Sequence, residues 1–82
     1  MDFDRIVLLA DARKRVRDGK TARDIRVQAG VTMEDMAYAL GVTQSTISRW
    51  EGGSRQPRGD AAIRWAQLLT ELDRLNQSVA AA

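Results

Sequence analysis

Apolar positions along the chain recur three or four residues apart, and nowhere do they alternate long enough to make a strand. The pattern and its punctuation predict five helical segments. The first, residues 2–18, carries Phe3, Ile6, Val7, Leu9, Ala10 and Val16. It is expected to stop at Gly19, because glycine enters the left-handed conformation of a helix end cheaply. Thr21 is the expected N-cap of a second helix, with Ala22, Ile25 and Ala29 on one face, ending at Gly30. Thr32 opens a third helix, lined by Met33, Met36, Ala37 and Leu40 and closed by Gly41, with Glu34 and Asp35 at the positive end of its dipole. Thr43 caps a fourth, with Ile47 and Trp50 inward, ending at Gly52 and Gly53. After a loop containing the only proline, Pro57, Asp60 is the expected cap of a last helix. Its apolar stripe, Ile63, Trp65, Ala66, Leu69, Leu72 and Leu75, continues to about Gln77, and residues 78–82 are expected to fray.

The third and fourth segments form the informative pair. Residues 33–52 read as an eight-residue helix, a three-residue turn opened by Gly41, and a helix of about nine residues. Two helices crossing at roughly 90–120° over so short a turn need a residue tolerant of positive φ, a small side chain at the crossing and apolar facing surfaces. Gly41 meets the first demand, Ala37 the second, and Met36, Leu40, Val42, Ile47 and Trp50 the third.

Composition narrows the function. With 82 residues there is room for one domain, and 44% apolar with 29% charged residues is an ordinary globular balance. No apolar run is long enough to span a membrane, and the acids Asp2 and Asp4 stand where a signal peptide would be positive, so a cytoplasmic chain is expected. The absence of cysteine and histidine removes disulfides, thiol nucleophiles, imidazole bases and nearly every zinc site. No catalytic residue, metal ligand or cofactor is therefore expected, and the chain is not read as an enzyme. Net charge is only +2, but residues 13–26 hold seven cations (Arg13, Lys14, Arg15, Arg17, Lys20, Arg23 and Arg26) against two acids. A second basic stretch, Arg49, Arg55 and Arg58, has only Glu51 against it. Such patches fit nucleic acid and equally fit a solvated helix face.

Residues 22–57 resemble the phage-repressor-like helix-turn-helix family, the lambda-repressor/Cro (Xre-type) superfamily. The resemblance is carried by Arg26-Val27-Gln28-Ala29-Gly30-Val31-Thr32, by Ala37 with the run from Gly41 to Glu51, and by Glu51-Gly-Gly-Ser-Arg55-Gln-Pro57, where E-x-G-x-R-x-P is a frequent pattern. It implies an all-α, five-helix, lambda-repressor-like domain over residues 1–82, with an extra N-terminal helix and an extended C-terminal one. It also implies a recognition helix, residues 44–52, lying in the major groove of double-stranded DNA. Gln44, Ser45, Thr46, Ser48 and Arg49 would then face the bases, a chemistry suited to adenine, guanine or either. Thr32, Met33, Thr43, Arg55 and Arg58 would face phosphates, the threonines through helix N-termini. At Met33 the family commonly has a glutamine that contacts phosphate and braces the recognition helix. Arg26 and Glu51 occupy the positions of an ion pair joining the family's first helix to the end of its recognition helix.

The flanking helices are wider in apolar surface than one core requires: Ile6, Val7, Leu8 and Leu9 in succession at one end, and Trp65, Leu68, Leu69, Leu72 and Leu75 at the other. A homodimer through one or both helices is one expectation, mutual packing of the two the other. The expected function is sequence-specific transcriptional regulation, repressor-like and of bacterial or phage origin, in a cytoplasmic, nucleoid-associated protein. Alternatives are an antitoxin that represses its own operon and binds a toxin, and an adaptor that keeps the fold for protein contacts; polymerase is a further possible partner.

Overall fold

The computed structural model describes residues 3–7, 10 and 19–81, and all the regular structure among them is helical. Residues 3–7 and 10 are helical, and four further helices follow: α1 (Gly19–Gln28), α2 (Met33–Leu40), α3 (Gln44–Gly52) and α4 (Gly59–Ala81). Leu8, Leu9 and the basic run 13–17 lie outside the described residues.

The two central helices begin and end on local chemistry. Thr32 caps α2 with extended backbone (φ −83°, ψ 161°) and accepts from the Asp35 N–H at 3.0 Å, while its own N–H donates to the Asp35 carboxylate at 3.1 Å. This reciprocal arrangement satisfies two amides that the helix cannot. Gly41 ends α2 in the left-handed region (φ +69°), and the next N–H, of Val42, reaches back to the Ala37 carbonyl at 3.0 Å. Only a residue without a Cβ takes that conformation freely. Thr43 repeats the cap for α3, accepting from the Thr46 N–H at 3.2 Å.

Ala22 of α1, Met36, Ala37 and Leu40 of α2, Ile47 and Trp50 of α3, and Trp65 and Leu69 of α4 form one buried cluster. Small Ala37 lets α2 and α3 cross closely, as the sequence demands. The Trp50 and Trp65 rings meet edge to face, centroids 5.2 Å apart and planes at 69°, which locks α3 onto α4. Trp65 is fully buried, and among the described residues its Nε1–H has no hydrogen-bond partner. An unmet donor costs about 1–3 kcal/mol. Burying some 200 Å² of indole at about 25 cal/mol per Å² contributes about 5 kcal/mol, so the position remains favourable.

Four boundaries differ from expectation. Gly19 does not stop a helix and Thr21 does not cap one: Gly19 is the first residue of α1 and Thr21 lies inside it. Both residue types tolerate a helix interior at about 1 kcal/mol or less relative to alanine. Burial of Ala22 against the core outweighs that preference. Asp60 is not the cap of α4, which begins at Gly59; the positive φ of Gly59 (+56°) makes the turn out of the Pro57 loop, and the Ala62 N–H bonds to the Arg58 carbonyl. Asp60 instead sits in the first turn, where its carboxylate pairs with Arg5. The last helix does not stop near Gln77 but runs on to Ala81. Buried Asn76 donates to the Ile25 carbonyl of α1 at 3.1 Å, which anchors this end of the helix against the body of the fold.

Candidate nucleic-acid interface

At 3.6 residues per turn, nine residues of helix present three distinct surfaces. The inner surface of α3 is Ile47, Trp50 and Glu51, all buried. Directly opposite stand Ser45 and Arg49, both exposed. Gln44 and Ser48 fall toward one flank and Thr46 toward the other. Gln44, Ser45, Ser48 and Arg49 are exposed, and Thr46 is half-buried, its hydroxyl sharing a hydrogen bond of 2.9 Å with that of Thr43. Of the five residues predicted to face bases, four thus form one open polar face and Thr46 stands beside it.

That face carries no acid because the one carboxylate of α3 is turned inward. Glu51 accepts from Arg26 of α1 through both oxygens, Nε at 2.5 Å and Nη2 at 3.0 Å, and the remaining Nη1 donates to the Val31 carbonyl at 2.9 Å. Both residues are 8% exposed. A two-pronged guanidinium–carboxylate pair with its spare donor satisfied meets the geometric condition for holding charge inside a small fold. The pair also ties the end of α3 to α1.

Two clefts border the exposed face. On one side, Thr46 and Trp50 look across an open groove to the loop of Ser54, Arg55, Gln56, Pro57 and Arg58. Pro57 is buried and anchors this loop, and both arginines are exposed on it. On the other side, Ser48, Glu51 and Gly52 share a cleft with Arg23 and Arg26 of α1 and with Met33 at the start of α2. Arg23 was expected only as part of a basic stretch. Its place beside α3 comes from the packing of α1 on α3, and the sole hint in sequence is its position three residues before Arg26.

The two helix N-termini differ electrostatically. The first turn of α3 has no acid, so its free amides and dipole are open to an anion. The first turn of α2 holds Glu34 and Asp35, and the Thr32 amide already donates to Asp35. Hydrogen bonds from Thr32, backbone first and side chain second, hold the Asp35 carboxyl below its ordinary value of 3.8, with partial desolvation acting weakly against them. Met33 is half-buried, packed against the core. Its thioether has no donor, so it braces nothing across the cleft it shares with Gln44. The Gln44 amide accordingly has no hydrogen-bond partner among the described residues.

Among the described residues no cluster of carboxylates could hold a metal, and no helix is long and apolar enough to cross a membrane. No curated protein and no solved structure matches the chain. A family model described as helix-turn-helix matches residues 23–72, which takes in α2, the turn, α3, the loop and most of α4. The chain belongs to the Cro/C1-type helix-turn-helix family: it is an all-α, lambda-repressor-like DNA-binding regulator.

Proposed function

We propose that this regulator is sequence-specific and repressor-like, of bacterial or phage origin, and that residues 44–52 are its recognition helix in the major groove. One observation carries the reading: the outer face of α3 is exposed, polar and free of acid, with its only carboxylate buried on Arg26. Gln44 and Arg49 have the paired hydrogen-bonding groups that match adenine and guanine edges, and Ser45 and Ser48 can serve any base. Thr46, on the flank, reaches a base or the neighbouring backbone. Thr43, Arg55 and Arg58 take phosphates. Thr32, whose amide and hydroxyl are engaged with Asp35, would have to share that hydroxyl with a phosphate, and Met33 can contribute only its backbone N–H.

In this reading residues 1–82 work as one domain in the cytoplasm, on the nucleoid, and occupy an operator to block or recruit polymerase. Phe3, Ile6 and Val7 at one end and Leu75 and Val79 at the other are more than half exposed, which supports a homodimer that covers them. Two recognition helices about 34 Å apart would then meet half-sites one turn apart. The same exposure also supports an autoregulating antitoxin whose toxin covers these residues. Sedimentation of the chain alone separates the two: a dimer at micromolar concentration favours the first, a monomer the second.

Selection from random duplex DNA at one fixed salt concentration, repeated with Gln44→Ala and Arg49→Ala, tests the central claim. A two-part pseudo-palindrome is expected, with each variant relaxing preference at one base by about 1–3 kcal/mol. Weak, sequence-independent and steeply salt-dependent retention would sink the sequence-specific reading.

A further inference from the structure

We infer that Arg23 is a second phosphate clamp, on the flank of α3 opposite Arg55 and Arg58, so that the protein grips both DNA strands bordering the groove. The inference rests on α3 being the recognition helix. Arg23 is exposed on α1 and lines the cleft that holds Ser48 and Gly52 of α3. Among the described residues nothing neutralises its charge. Arg26 occupies both oxygens of Glu51, the acid among the residues lining that cleft. Arg23 itself has no hydrogen-bond or ion-pair partner among the described residues. On α1 the positions three and four away are Gly19, Lys20, Arg26 and Val27, so no carboxylate shares its face.

Position does the rest. Thr46, which faces the groove of Arg55 and Arg58, and Ser48, which faces Arg23, are two residues apart and so point about 160° apart around the helix. A helix about 10–12 Å across fills a major groove about 12 Å wide, and each wall of that groove is the sugar–phosphate chain of a different strand. Cations on one flank therefore meet one strand, and a cation on the other flank meets its partner. Arg26 lies in the same cleft but is committed to Glu51 and Val31, and Met33 there has no donor, which leaves Arg23 as the uncommitted cation among the residues lining it.

The experiment uses the full chain and its selected duplex, with affinity measured over a series of salt concentrations for the unsubstituted protein, Arg23→Gln, Arg23→Lys and Arg55→Gln. The duplexes carry single neutral methylphosphonates, placed on one strand at a time. Arg23→Gln is expected to weaken binding about equally on all sequences and to lower the salt slope by about 0.9, the contribution of one phosphate contact. It should also lose sensitivity to methylphosphonates on one strand, and Arg55→Gln on the other. Arg23→Lys should restore the slope, since a point charge suffices for a phosphate. Unchanged thermal unfolding of Arg23→Gln separates this from a loss of fold. An unchanged slope, or lost sensitivity on the same strand as Arg55, overturns the clamp while leaving the recognition helix standing. Failure of the unsubstituted protein to select any duplex overturns the recognition-helix reading, and the clamp with it.

Discussion

Removing one partner of the Arg26–Glu51 pair measures how far the fold depends on a single buried contact. Glu51→Ala leaves the guanidinium of a residue that is 8% exposed, with only the Val31 carbonyl still accepting from it. An uncompensated buried charge of this kind costs about 3–5 kcal/mol. At about 0.05–0.15 kcal/mol per residue, a chain of 82 residues has roughly 4–12 kcal/mol of stability in total. The substitution therefore removes from a quarter to all of it. At about 4–8 °C per kcal/mol for this size, Tm falls by at least ~12 °C. Replacing both partners, Arg26→Met with Glu51→Leu, removes both desolvation penalties and is expected to leave stability within about 1 kcal/mol of the original, or above it. Urea unfolding read by tryptophan fluorescence suits the test, because Trp50 and Trp65 are 5% and 0% exposed in the core. The reasoning fails if Glu51→Ala lies within about 0.5 kcal/mol of the parent, or if the double variant loses the sum of the two single losses.

Two smaller effects isolate single causes. A Cβ added at Gly41 would meet nothing within 4 Å, so Gly41→Ala acts only through its φ of +69° and should lower stability by about 1–2 kcal/mol. Asparagine, which tolerates that region better, should fall between glycine and alanine in thermal melts; equal stability of glycine and alanine would refute the backbone account. Asp35, with its carboxyl held below 3.8 in the folded state, contributes stability that is present above that value and is lost as pH falls through the folded value, because the unfolded chain binds the proton first. The advantage of the parent over Asp35→Asn, measured by urea unfolding, should therefore shrink between pH 6 and pH 3; an equal difference at both values would contradict it.

The helix-turn-helix was legible because its signals are local. Thr32, Gly41 and Thr43 each act on amides or carbonyls within four residues, and they bound α2 and α3 as the sequence predicts. Gly19 and Thr21 belong to the same residue types and misled for a reason of the same kind. A cap works only where the chain leaves the helix, and whether it leaves depends on burial of Ala22, a tertiary fact. The anchoring of α4 by Asn76 to Ile25 joins residues 51 apart, beyond any local pattern. For the site, the residues on the outer face of α3 follow from periodicity once its start is known. Thr46 stands on the flank of that face, its hydroxyl turned to Thr43 and the residue lining the loop groove, a placement that periodicity alone does not give. Arg23 could be seen as basic but not as a neighbour of Ser48, because that proximity exists only after α1 packs on α3.

The proposed recognition helix, α3, is held at both ends by contacts of different kinds, and this bears on how such a small chain would read DNA. Thr43 fixes its first turn, and in its last turn Trp50 packs on Trp65 of α4 while Glu51 ties the helix to α1. Hydrogen bonds to base edges need their donors placed within a few tenths of an ångström, so in the proposed complex tilt about any of these contacts would degrade every base contact together. Among the described residues the side chains of Gln44, Ser45, Ser48 and Arg49 have no hydrogen-bond or ion-pair partner, whereas Ile47, Trp50 and Glu51 are committed to the fold. Changes on the inner face of α3 should therefore lower stability and affinity together, whatever the DNA sequence. Changes at Gln44, Ser45 or Arg49 should alter preference at a base and leave the unfolding transition where it was. The two properties can vary independently because Glu51, the one acid on the helix, is buried on Arg26 and kept off the outer face.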